Sequence, residues 1–230
     1  MRTLGLLGGM SWESTLPYYR VLNERVRDRL GGLHSAKLLL YSVDFAEIEA
    51  LQHRGEWDEA GELLADAARR LEQAGAQAMV ICTNTMHRVA AHVEAATTVP
   101  LLHIADATAR RIHASGLRSV ALLGTRFTME QAFYRERLER SGLQVVVPDA
   151  AARERIHAII YDELCRGVIR DESRAFYRQA MAALVEQGAQ GVILGCTEIA
   201  LLVGAGDAPV PLFDTARIHA EDAADWAMQG

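Results

Sequence analysis

The chain has 230 residues, half of them hydrophobic and 23% charged, with a formal net charge of −6. That length accommodates one large domain or two small ones around a sizeable core, and the acidic balance argues against nucleic acid and anionic membrane surfaces as partners. The opening MRTLGLLGGMSWEST breaks its apolar stretch with glycines and soon reaches Trp12 and Glu13, which fits neither a signal peptide nor a membrane span, so a cytoplasmic location is expected. Three cysteines, Cys82, Cys165 and Cys196, form an odd set without paired spacing and are expected as free thiols.

Taken in chain order, short aliphatic runs alternate with longer amphipathic stretches, the pattern of parallel strands joined by crossover helices. Strands are expected over residues 3–8, 36–43, 77–82, 99–104, 119–124, 143–148, 191–196 and 210–213, and their near-continuous apolar character implies helices on both faces. Helices are expected over 12–30, 57–73, 86–95, 106–114, 128–140, 152–165 and 172–186, with Gly75, Gly116, Gly142 and Gly188 placed as left-handed C-caps. The fold class is α/β.

The chain also repeats itself. AGAQAMVICTNT from Ala74 parallels QGAQGVILGCTE from Gln187, so that Gly75, Ala76 and Gln77 match Gly188, Ala189 and Gln190 at an offset of 113 (188 − 75). LGLLGG near the start parallels VALLGT from Val120, and VPLLHIADATARRIHA parallels VPLFDTARIHAEDA. Two pseudo-symmetric domains follow, each a mostly parallel sheet flanked by helices, with an active site in the cleft between them. Residues 1–97 plus 210–230 are assigned to the first and 98–209 to the second.

The offset places Thr83 opposite Cys196, Asn84 opposite Thr197 and Thr85 opposite Glu198. In open α/β sheets ligands collect at the carboxyl ends of strands, where both segments lie. Small hydroxyls and amides followed by a helix N-terminus offer donors suited to a carboxylate, so an amino-acid-sized anion is the expected ligand. Metal chemistry is not expected: His87 and His92 stand five apart, and none of the histidines makes a metal-ligand pattern. GLLGGM lacks the G-x-G-x-x-G spacing of a dinucleotide loop. A buried core residue is the plain reading of Cys82, and core or cleft wall that of Cys165. Trp12, Tyr18 and Tyr19 are expected to pack between domains or subunits.

GLLGGMSWEST, CTNTMH from Cys82 to His87, LLGT from Leu122 to Thr125 and GCTEI from Gly195 to Ile199 together resemble the aspartate/glutamate racemase family, in particular its aspartate and broad-specificity amino-acid racemase branch. The resemblance covers essentially the whole chain. It implies an isomerase that interconverts L- and D-aspartate or glutamate with two thiols flanking Cα, without pyridoxal phosphate or metal, and it implies a homodimer. It assigns Cys196 and Thr83 to catalysis, and Met10, Ser11, Gln52, Asn84, Thr85, Thr125, Cys165, Thr197 and Glu198 to the acidic substrate. For Gln52, an exposed helical glutamine is an equal reading.

Two departures from the family pattern matter. The family's first cysteine stands directly before the Asn-Thr pair, where this chain has Thr83, with Cys82 one residue earlier; strand alternation should turn the two to opposite sides. Related racemases carry a lysine in a Y-x-x-x-K-x-G stretch, and here Cys165 occupies its place in Tyr161–Gly167. A thiol at Cys196 has an ordinary pKa of about 8.5, which positive charge or a helix N-terminus would lower, whereas Thr83 can donate or relay a proton but is a poor base. A one-thiol decarboxylase or isomerase of small diacids, and an amino-acid-binding protein without turnover, remain the alternatives.

Overall fold

The computed structural model describes residues 1–229, and the chain divides into two compact units. The first comprises Met1–Ile104 with the C-terminal stretch from His219, and the second comprises Ala105–Ile218.

In the first unit, β1 (Leu4–Gly8), β2 (Leu38–Ser42) and β3 (Ala78–Ile81) form a parallel sheet in the order β2-β1-β3. Every residue of β1 and β3 is buried, as the unbroken apolar runs required, while β2 at the edge is half-exposed. The crossovers are α1 (Trp12–Leu30) and the pair α2 (Phe45–Arg54) and α3 (Trp57–Gln73), and α4 (Ala90–Ala96) follows β3. In the second unit, α5 (Ile104–Ala114) leads to β4 (Ser119–Gly124), α6 (Arg126–Glu130), α7 (Ala132–Arg140), β5 (Gln144–Val146), α8 (Ala150–Asp162), α9 (Asp171–Glu186), β6 (Val192–Gly195), α10 (Ile199–Leu202) and β7 (Leu212–Asp214), after which α11 (Thr215–Met228) carries the chain back into the first unit. Its sheet is parallel, in the order β5-β4-β6-β7.

The repeat is visible as repeated physics. Gly75 and Gly188 hold φ of 102° and 100°, a region that a side chain rarely enters, and each ends the helix before its strand. Two residues on, Gln77 accepts the Thr3 N–H at 2.9 Å, and Gln190 accepts those of Arg118 and Ser119 at 3.0 and 3.2 Å. Each glutamine thus satisfies the start of the neighbouring central strand, which explains why G-A-Q recurs.

Several expectations are corrected. Residues 99–104 form no strand: Leu101 makes an isolated bridge to Met79, because Pro100 supplies no N–H and the chain turns into α5 at Ile104. The 210–213 run does pair, but with β6 in the second unit, so the chain leaves each unit only after this run rather than before it. The helix expected over 128–140 breaks at Gln131, whose ψ of 146° is extended, and the one expected over 152–165 stops at Asp162. The helix α2 was missed, although Asp44 caps it by accepting the Ala46 N–H at 3.0 Å. Tyr18 is fully buried with its hydroxyl 2.8 Å from Nδ1 of His219, while Trp12 and Tyr19 are exposed.

Candidate active site

In the first unit the carboxyl ends of β1 and β3 carry the candidate residues. Gly9 has φ 88°, and a Cβ there would stand 2.3 Å from the Val43 carbonyl oxygen, so only glycine lets the two loops meet. The turn that follows presents Met10 and Ser11, both buried. Ser14 donates to the carbonyls of Ser11 at 2.8 Å and Cys82 at 3.4 Å, tying this turn to the end of β3.

Beyond β3, Cys82, Thr83, Asn84 and Thr85 are all buried. Cys82 is held with its sulfur 3.8 Å from the Val80 carbonyl, and burial alone pushes its thiol far above the usual range. The 3-10 turn Thr85–Val89, rather than the start of an α-helix, places His87 back under Thr83. Nε2 of His87 accepts the Ile104 N–H at 3.2 Å, so the ring proton belongs on Nδ1, which donates to the Thr83 carbonyl at 2.8 Å. His103 and His219 pack against the same ring at 4.4 and 5.8 Å between centroids. Gln52, on α2, is buried rather than exposed, and its amide donates to the Met86 sulfur at 3.1 Å.

In the second unit Thr125 follows β4 as the N-cap of α6, accepting the Thr128 N–H at 3.3 Å. Cys196 follows β6 and is buried, and its Sγ donates to Oε2 of Glu198 at 3.0 Å. Thr197 donates to the same oxygen at 2.6 Å, and Cys165, in the 3-10 turn Leu164–Arg166, also hydrogen-bonds Glu198. One carboxylate therefore gathers Cys196, Thr197 and Cys165. Burial raises the Cys196 thiol well above its usual range, the charge of Glu198 and then that of Cys165 reinforce the shift, and a hydrogen bond from the Glu198 backbone opposes it. Cys165 is raised by burial and by Glu198.

This reverses the electrostatics expected for Cys196. The α10 helix behind it has only four residues, and a carboxylate rather than a cation is its nearest charged neighbour, so nothing at rest favours the thiolate. In the resting state Cys196 is a thiol hydrogen-bonded to the Glu198 carboxylate. Sequence reasoning missed His87 and also Tyr177, a core tyrosine of α9. The one signal for Tyr177 was a polar pair, Ser173 and Tyr177, one turn apart on an otherwise apolar helix face. Among the described residues no group of three or more His, Cys, Asp or Glu is arranged to hold a metal ion, and no helix is long and apolar enough to cross a membrane.

Comparison with known proteins agrees across the whole chain. The family model described as Asp/Glu/hydantoin racemase matches residues 7–223. A broad-specificity amino-acid racemase of Bacillus subtilis is 25% identical over 95% of both chains. Among solved structures, a candidate Asp/Glu racemase from Yersinia pestis is 59% identical with a TM-score of 0.93 over 100% of both chains. An aspartate racemase homologue from Pyrococcus horikoshii is 37% identical with a TM-score of 0.86, covering 99% of this chain and 100% of its own.

Proposed function

Because the chain belongs to the Asp/Glu/hydantoin racemase family, we propose that it interconverts L- and D-aspartate or glutamate by thiol-based proton transfer at Cα. Racemisation requires a proton to leave one face of Cα and another to arrive at the opposite face. Cys196 is assigned the first task and Thr83 the second, in the direction that starts from the enantiomer presenting its Cα–H to the sulfur. The observation that carries this reading is the 3.0 Å hydrogen bond from Cys196 to Glu198. The thiol proton passes to the carboxylate, the thiolate takes the Cα proton, and the hydroxyl of Thr83, itself or through water, supplies the other face; Glu198 then releases its proton to solvent and Thr83 regains one from it, which restores the resting state. The alkoxide of Thr83 is far more basic than a thiolate, so the two enantiomers are turned over unequally. Met10, Ser11, Gln52, Asn84, Thr85, Thr125, Cys165 and Thr197 are proposed as the substrate's surroundings.

The reaction is proposed to need no cofactor. Pyridoxal phosphate is held through a lysine amine. The chain's only lysine, Lys37, is exposed and precedes β2, at the amino end of a parallel sheet whose carboxyl end bears Thr83. A homodimer is proposed from the exposed stripe Trp12, Leu16 and Tyr19 on α1, and a cytoplasmic location from the three free thiols.

Incubation of the purified chain with L- and D-aspartate and glutamate in D₂O tests the function. Deuterium at Cα with inversion, unaffected by chelator, is the expected result. Exchange without inversion would reduce the chain to a one-sided catalyst, and binding without exchange would make it an amino-acid-binding protein.

A further inference from the structure

Tyr177 stands on the inward face of α9 with Ser173 one turn before it and Met181 and Leu184 after it, all buried. It belongs to the same hydrophobic cluster as Cys196, against which Cys165 also packs. Its ring is completely buried, and its hydroxyl has no hydrogen-bond partner. A buried O–H without an acceptor is costly, and native proteins rarely keep one without a use.

The surrounding groups narrow that use. Burial is the main cause that holds the Tyr177 phenol protonated, and the charges that add to it are, in decreasing order, those of Cys196, Glu163 and Cys165. Glu163 already accepts the Ser173 hydroxyl at 2.6 Å, with Arg170 at 4.0 Å. Cys165 is engaged with Glu198. Cys196 is the group whose hydrogen-bonding capacity changes in turnover. As a thiol donating to Glu198 it is a weak acceptor, and as a thiolate it is a strong one.

We propose that Tyr177 is a positioning residue for Cys196, its buried hydroxyl held in reserve to donate to the sulfur when Cys196 becomes a thiolate. The inference rests on the assignment of Cys196 as the proton-handling thiol. The proton balance is simple. The Cys196 S–H bond breaks, its proton goes to the Glu198 carboxylate, and the resulting thiolate accepts hydrogen bonds from the Tyr177 hydroxyl and the Glu198 backbone. Tyr177 keeps its own proton throughout. When the thiolate takes the Cα proton, the Tyr177 hydroxyl loses its acceptor again.

The test is Tyr177→Phe in the full chain, which deletes one oxygen and keeps the ring. Alkylation of Cys196 by iodoacetamide, followed on its own peptide by mass spectrometry, reads the thiolate fraction. At every pH below the thiol's midpoint the rate at Cys196 should fall about tenfold or more, the effect of losing a hydrogen bond to a charged group. The rate at Cys82 should not move. In racemisation kcat should fall by a similar factor with KM unchanged, and the thermal midpoint should hold or rise because an unsatisfied hydroxyl is gone. Ser173→Ala, which disturbs the same helix face, should leave Cys196 alkylation unchanged. Tyr177→Leu serves where the phenylalanine variant is not recovered, with the same fall expected. An unchanged Cys196 rate in the Tyr177 variants overturns the proposal, as does an equal fall in Ser173→Ala. The alkylation readout needs no turnover, so a wild-type chain that fails to racemise sinks the function without touching this result.

Discussion

The imidazole of His87 is bonded at both nitrogens, donating from Nδ1 to the Thr83 carbonyl at 2.8 Å and accepting the Ile104 N–H on Nε2 at 3.2 Å. Both bonds lie in the first unit, and they require a neutral ring in a single tautomer. The carboxyl end of β3 is therefore held from below by a side chain four residues further on.

His87→Ala removes these two buried hydrogen bonds, each worth about 1 kcal/mol. The thermal midpoint should fall by roughly 4–8 °C for a chain of this size, and racemisation should fall further than stability alone explains because Thr83 loses its support. Calorimetry paired with an inversion assay measures both. A variant that melts lower yet racemises at the wild-type rate would show that Thr83 does not depend on the ring.

Glu198 acts on Cys196 in two opposed ways, and Glu198→Gln separates them. Its negative charge raises the Cys196 thiol, so the amide should increase alkylation of Cys196 at a given pH. The amide cannot hold the proton that the thiol gives up, so kcat should drop by about 10² to 10⁴. Faster alkylation with slower turnover is the expected pair. If turnover rises together with alkylation, the carboxylate is a brake and not a proton acceptor.

Cys82 and Thr83 are adjacent but should answer differently to substitution. Burial raises the folded-state pKa of Cys82 above its unfolded value of about 8.5. The stability that this shift contributes is fully present below the unfolded value, and it is lost as pH rises toward the folded one. Wild-type stability should therefore decline in alkali, and Cys82→Ala should flatten that decline while leaving racemisation intact. Thr83→Ala should stop inversion yet leave Cα exchange of the enantiomer that presents its hydrogen to Cys196. Urea titrations at several pH values and proton NMR in D₂O follow the two effects. Loss of activity in Cys82→Ala with Thr83→Ala unimpaired would move the catalytic role to Cys82.

What the sequence determined by itself was whatever depends on local periodicity and on the repeat. Unbroken aliphatic runs specified buried parallel strands, helices such as α1 and α3 were legible at both ends, and the paired G-A-Q segments marked two units of like topology. The same register set Thr83 and Cys196 at strand ends, where side chains leave the sheet. It misjudged residues 99–104, because an apolar run shows only that a segment is buried and not how many ladder bonds it makes. Only the tertiary structure decided which polar groups meet. Glu198 is two residues from Cys196 in sequence, but that its carboxylate also reaches Thr197 and Cys165 depends on a 3-10 turn about thirty residues away along the chain. That Tyr177 shares a core cluster with Cys196, and that His87 bonds the Thr83 carbonyl, are likewise matters of packing. Hydrophobic burial is written residue by residue and can be read along a line, whereas hydrogen bonds demand ångström-scale geometry between segments that only the folded chain brings together.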